Sequence, residues 1–172
     1  MMLCYWLSAP IIAQNGHDSF PIAWIGEWTG ELLIYSGAGE QQRTQMNLNI
    51  QPIDTSDNYT WAITYGEGTD QRPYELITVD AQNGHYQVDE KNSIVLDLYH
   101  FAGKLCSRFE VMGNLLLITY EKVGNEIIFE VLSGKEDTPV ITGGEKIGEN
   151  EMPKVISFPI AIRQIARLAK KD

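Results

Sequence analysis

An all-β fold, an antiparallel up-and-down β-barrel of about 9–10 strands, is predicted by three observations on this 172-residue sequence. From Ile25 to Ser133, apolar and polar residues alternate with period two in run after run, the mark of strands with one face turned inward. Turn chemistry separates the runs at intervals of roughly ten residues. No helical segment interrupts them. So many consecutive hairpin strands in one open sheet would leave long edges and a bare face, and closure removes both.

Taken in order, the first strand spans 28–36 and ends in Ser36-Gly37-Ala38-Gly39. Met46, Leu48 and Ile50 then alternate with Gln45, Asn47, Asn49 and Gln51. After Asp57-Asn58, a third strand sets Tyr59, Trp61, Ile63 and Tyr65 on one face against Thr60, Ala62 and Thr64 on the other. Runs 73–81 and 85–90 flank Gln82-Asn83-Gly84, the strongest turn of the series because Asn and Gly both tolerate positive φ. Runs 93–102, 104–112, 114–123 and 126–133 follow, punctuated at Gly113-Asn114 and Gly124-Asn125 and closed by Ser133-Gly134. Strands 114–123 and 126–133 are apolar on both faces (Leu115 to Ile118; Ile127 to Phe129), so a cover on the outside is expected.

Residues 22–134 thus make up the meander, and 135–153, rich in Gly, Glu, Asp, Lys and Thr without periodicity, read as a polar loop. The apolar, basic tail 154–172 has two readings. As a strand it places Ile160, Ile162, Gln164, Ala166 and Leu168 on one face. As a helix starting after Pro159 it gathers Arg163, Arg167 and Lys170 opposite Ile162, Ile165 and Ala166. The strand is favoured, because a last strand pairing the first closes the barrel.

Composition sets the outer bounds. At 44% hydrophobic and 21% charged, the chain is neither disordered nor an integral membrane protein. A net charge of −10 excludes a general nucleic-acid binder, which needs clustered Lys and Arg. The charge is uneven: the tail carries Lys154, Arg163, Arg167, Lys170 and Lys171 against Asp172 alone, making an acidic barrel with a basic end. At the other terminus, residues 1–13 include the uncharged, apolar run 2–13, too short to span a bilayer but of the length of a secretory signal's apolar part, ending before Gln14. This predicts a secreted or periplasmic protein, although no Lys or Arg precedes Arg43; the alternative is an apolar N-terminal segment packed on the barrel surface or across its mouth. With Cys4 removed, Cys106 remains as a wall or core thiol.

Chemical signatures are few. There is no Gly-x-Ser-x-Gly elbow, His-Glu-x-x-His, P-loop or Cys-x-x-Cys, so neither catalysis, a metal nor a cofactor is expected. His17 and His85 fall in polar or turn segments and are expected in solvent, as are Asp54, Asp57, Asp80, Asp89 and Glu90. His100 shares the inward face of Ile94, Leu96 and Leu98, whereas Asp97 lies on the opposite face, which argues against a His100–Asp97 dyad. Aromatic residues are more telling. Met46, Tyr59, Trp61, Tyr65, His100 and Phe109 are the candidate lining of a cavity for a small apolar ligand, although the same residues would also serve as plain core.

Ile25-Gly26-Glu27-Trp28-Thr29-Gly30, at the head of the hairpin series, resembles the Gly-x-Trp opening of calycins, the lipocalin and fatty-acid-binding-protein group. It is also similar to the Trp-x-Gly opening of nitrobindin-type barrels. The resemblance covers roughly residues 22–133. It implies a barrel-end plug in which Trp28 is covered by a basic side chain from the last strands, Arg163 or Arg167, with Arg108 as the other candidate. The disulfides of secreted lipocalins and the haem-ligating histidine of nitrobindin-type barrels have no counterpart here. The resulting expectation is an exported, lipocalin-like, non-catalytic barrel for a small apolar or amphiphilic ligand. The rival is a filled barrel that docks on a protein partner through 114–133 or 154–172.

Overall fold

A computed structural model describes residues 20–68 and 70–171; the signal-like stretch 1–13, Cys4 and His17 lie outside the described residues. Nine antiparallel strands follow one another: β1 (Gly26–Ser36), β2 (Gly39–Ile50), β3 (Tyr59–Tyr65), β4 (Asp70–Asp80), β5 (His85–Asp89), β6 (Val95–Phe101), β7 (Lys104–Val111), β8 (Asn114–Val123) and β9 (Glu126–Lys135). Four short strands come next, β10 (Val140–Thr142), β11 (Lys146–Ile147), β12 (Asn150–Glu151) and β13 (Val155–Ser157), and then β14 (Ile162–Lys170). β14 pairs with β9 on one side and with β1 on the other, which closes a ten-stranded barrel. The predicted fold is the observed one, closing strand included.

Period two decides what is inside. Trp28 and Leu32 of β1, Met46, Leu48 and Ile50 of β2, and Trp61 and Ile63 of β3 are buried, while their strand neighbours face out. In the tail the inward set is Gln164, Ala166 and Leu168, the strand face read from the sequence. Ala, Arg, Gln and Lys there favour helix weakly, but a strand gains a full hydrogen-bonded ladder on each side, and tertiary context wins. The tail's charges settle on the barrel's own acidic wall. Arg163 Nε meets Glu130 at 2.7 Å, Arg167 Nη1 meets Glu126 at 3.4 Å and Lys171 Nζ meets Glu27 at 3.7 Å. Such exposed pairs are worth little each, about 0–1 kcal/mol, but they favour one register over its neighbours.

Two expectations are corrected. Ser133-Gly134 is no turn; both residues lie inside β9. Gly134 is needed there because the connection back to β14 crosses it. A Cβ would come within 1.9 Å of the Pro159 carbonyl oxygen, and Ala161 N–H donates to Ser133 O at 2.8 Å. Phe158-Pro159-Ile160 thereby supplies part of the outer cover expected over β8 and β9, beside Leu115, Leu117 and Leu132. The stretch 135–153 is likewise more than a polar loop. β10 pairs with β13 and, after a Gly143-Gly144 break, β11 with β12, forming one long hairpin arm. Its strand residues Val140 and Ile141 are 63% and 54% exposed, so the arm stands off the barrel.

Candidate functional site

The two ends of the barrel differ. One is stoppered by the segment leading into β1, where a single 3-10 turn (Ile22–Trp24) folds Phe20 and Trp24 into the lumen. Trp28 is fully buried beneath it, and its indole N–H donates to the Trp24 carbonyl at 2.8 Å. The Lys170 ammonium lies over the Trp28 ring, 5.5 Å from its centroid. Lys170 is also the register partner of Trp28, so pairing of β1 with β14 delivers the cation directly. The cation on the plug tryptophan is therefore Lys170. Arg163 and Arg167 occupy the opposite strand parity and bond to carboxylates on the outer wall. Gly26 completes the arrangement, since a Cβ on it would meet Lys170 Cε at 2.5 Å.

The other half of the lumen is open. Ten strands enclose more than side chains fill, leaving a cavity of about 230 Å³ whose wall includes Trp61, Tyr65, Tyr74, Phe109, Tyr120 and Phe129. It continues into a wider mouth of about 410 Å³, bordered by Gln42, Thr44, Asp70 and Ile34; Tyr65, Arg72 and Gln164 line both spaces. Arg72 reaches in from β4 with its guanidinium 4.9 Å from the centre of the Tyr65 ring. Its Nε and Nη2 donate to the two oxygens of Asp70 at 3.3 and 3.0 Å. That bond holds its proton even more firmly than usual, despite partial burial. Burial pushes the Tyr65 and Tyr74 phenols up, Tyr74 with further help from Glu90, so both stay neutral hydroxyls at ordinary pH. Near the mouth, then, a cation, two phenols and the Gln164 amide border a largely apolar chamber.

Of the six cavity candidates, Trp61, Tyr65 and Phe109 line the chamber. Met46 is fully buried core, Tyr59 packs against that core, and His100 points inward but at the stoppered end, stacked on Phe20. All six face inward; height along the barrel separates them. Arg72, Tyr74, Gln164 and Glu90 also line the chamber, and none is among the candidates read from the sequence. The available signal was parity, since Arg72 and Tyr74 share a face with buried Leu76. Glu90 lines the chamber instead of pointing to solvent.

His85 also departs from expectation. Its ring stacks on Tyr99 at 4.9 Å, and Nε2 lies 2.7 Å from Asp97 Oδ1 on the neighbouring strand, which holds the Asp97 carboxyl below its usual range. Asp97 is thus on the face opposite His100, as predicted. Cys106 sits half-buried on the wall, its thiol pushed up by burial. Among the described residues no group of three His, Cys, Asp or Glu side chains could hold a metal ion, and no helix is long and apolar enough to cross a membrane.

No family model and no curated protein matches the sequence. Solved structures do match in fold. A protein of unknown function from the DUF3598 family of Nostoc punctiforme superposes with a TM-score of 0.56 at 11% identity, over 84% of this chain and 47% of that one. The chain therefore spans about half the length of that protein. An S-type phycobiliprotein lyase from Guillardia theta superposes with a TM-score of 0.52 at 5% identity, over 86% and 88% of the two chains. At such identities, what the chain shares with both is the closed barrel.

Proposed function

We propose that the chain is a non-catalytic, calycin-like barrel that binds a small amphiphile, apolar part in the chamber and anionic head at the mouth. The observation that carries this reading is a lumen stoppered at one end, with Arg72 the one basic side chain, among the described residues, lining its open half. The chamber by itself is smaller than common ligand sites of ~300–1,000 Å³, so the ligand's head would extend into the mouth. Asp70 already occupies the guanidinium fork, and a carboxylate head, the same group, is the natural replacement. The likeness to a phycobiliprotein lyase supports a barrel that handles small molecules.

The test is a fluorescence titration of the full chain with dodecanoate, dodecanol, a retinoid, haem and a phycobiliprotein chromophore, read at Trp61 in the chamber wall. Arg72→Gln is expected to weaken the carboxylate about 10–100-fold, the value of a charge-assisted hydrogen bond, and to leave dodecanol within about twofold. Equal losses for both, or no quenching by any member of the panel, would sink the proposal.

A second reading, docking on another chain, is favoured by the arm. A two-stranded ribbon is marginal in water by itself, yet this one exposes Val140, Ile141, Val155 and Ile156. The basic tail is a weaker docking candidate than the sequence suggested, because three of its charges are paired within the chain. Light scattering across a concentration series checks this reading. A dimer that becomes monomeric in Ile141→Asp/Ile156→Asp supports it; a monomer throughout, with ligand binding intact, leaves the first reading alone.

A further inference from the structure

His100 projects from β6 into the stoppered end and lies flat against Phe20, ring centroids 4.7 Å apart and planes 14° apart. The Trp24 indole meets it edge-on at 6.3 Å. Its Nε2 is buried and has no hydrogen-bond partner among the described residues. An unmet buried polar atom is costly and calls for an explanation. The strand cannot carry the ring elsewhere. His100 N–H donates to Gly84 O at 2.8 Å, and Gly84 is so close that a Cβ would fall 2.5 Å from the His100 carbonyl oxygen.

Among the described residues, the side chains seen against the imidazole, and the inward ones on the strands around it, are apolar, aromatic or cationic. The stopper offers Phe20 and Trp24. β3 adds Trp61 behind the stopper, its ring centroid 6.5 Å from that of Phe20 and 6.4 Å from that of Trp24. β5 offers Tyr86, whose hydroxyl donates to the Phe20 carbonyl at 3.4 Å. β7 offers Leu105, the register partner of His100. β8 pairs Tyr120 with Leu105 and, two residues on, carries Lys122, whose ammonium sits on the Gly124 carbonyl at 2.7 Å. Burial pushes the Tyr86 and Tyr120 phenols up, so they stay neutral. Among the described residues, Asp97 of β6 and Asp80 of β4 are engaged elsewhere, with His85 and with Asn83. A neutral ring is tolerated in this setting; an imidazolium would keep its Nε2–H buried with no anion among the described residues to meet it, and burial accordingly lowers the group's pKa.

We propose that the Phe20–Trp24 segment is a proton-released stopper: neutral His100 holds it by stacking on Phe20, and a protonated His100 loosens it, opening the second end of the barrel. The closed form disfavours the charged ring, whereas the open form lets it hydrate, so the open form binds the proton more tightly. Closure is therefore fully stable above the ordinary imidazole value of about 6.5 and weakens as pH falls below it. There the open-to-closed ratio climbs by up to about tenfold per pH unit until the lowered closed-state value is passed.

Tryptophan emission and acrylamide quenching of the full chain, followed from about pH 8 to about pH 4.5 with far-UV circular dichroism at each point, test the proposal. A reversible red shift with increased quenching below about pH 6, at constant sheet signal, is expected. His100→Phe, which keeps a stacked ring and removes the nitrogen, should abolish the transition, and His100→Leu should do the same if Phe does not fit. His85→Gln, on the outer wall, should leave it unchanged. A flat wild-type profile, or a folded His100→Phe or His100→Leu variant that titrates like the wild type, would overturn the stopper.

Discussion

Replacing Trp28 with alanine is expected to cost about 3–5 kcal/mol of folding stability, against the ~5–15 kcal/mol that a domain has in total. Three losses combine. The indole is fully buried at the stoppered end, so truncation leaves a large void between the strands and the Phe20–Trp24 segment. The Trp24 carbonyl loses the N–H that meets it at 2.8 Å. Lys170 loses the ring face over which its ammonium rests. Urea denaturation followed by circular dichroism measures the sum. Trp28→Phe separates the parts, because it keeps most of the volume and removes only the donor. A cost of about 1–3 kcal/mol is expected for it, the price of an unsatisfied buried carbonyl. If alanine costs no more than phenylalanine, void formation is not what the site resists, and the plug is looser than its packing indicates.

Much of this molecule is legible in its sequence because a strand encodes its inward face locally. Leu48 between Asn47 and Asn49, or Trp61 between Thr60 and Ala62, needs no knowledge of the rest of the chain to be assigned inward. Height along the barrel is different, because register sets it across strands far apart in sequence. The candidates Met46, Tyr59 and Trp61 share inward parity, yet of these only Trp61 borders the chamber. The cation over Trp28 shows the same limit. The tail's parity could be read, but the pairing Trp28↔Lys170 comes from closing β14 on β1. Arg72 was hidden for a third reason: a guanidinium beside a turn looks like surface until the barrel is known to be open at that end. Gly134 looked like a turn residue because nothing local records that a distant backbone, at Pro159, passes over it. The arm's strands are two or three residues long, too short for a period to register.

The closing seam should be the most intolerant place in the fold, and Gly30→Ala tests it. Gly30 lies in β1 within the register that pairs Thr29 with Ala169 and Leu32 with Ala166. A Cβ there would come within 2.0 Å of the Arg167 carbonyl oxygen and 2.9 Å of its carbon. The backbone at Gly30 is not left-handed, so the obstacle is steric alone. A main-chain oxygen cannot swing aside like the end of a side chain; β14 itself must move. Overpacking usually costs ~1–3 kcal/mol, and with backbone as the obstacle the cost is expected to reach or exceed the top of that range. Moving β14 also threatens closure, because it joins β9 to β1. A nine-strand sheet with two long free edges is an aggregation template. The expected result is a large fall in the denaturation midpoint together with concentration-dependent aggregation. Gly37→Ala is the matching control: it sits in the β1–β2 turn with nothing within 4 Å of its Cβ position and no left-handed φ. It should be neutral or gain up to about 1 kcal/mol through a less flexible unfolded chain. Equal stability of the two variants would mean that β14 can yield at Arg167 without opening the barrel.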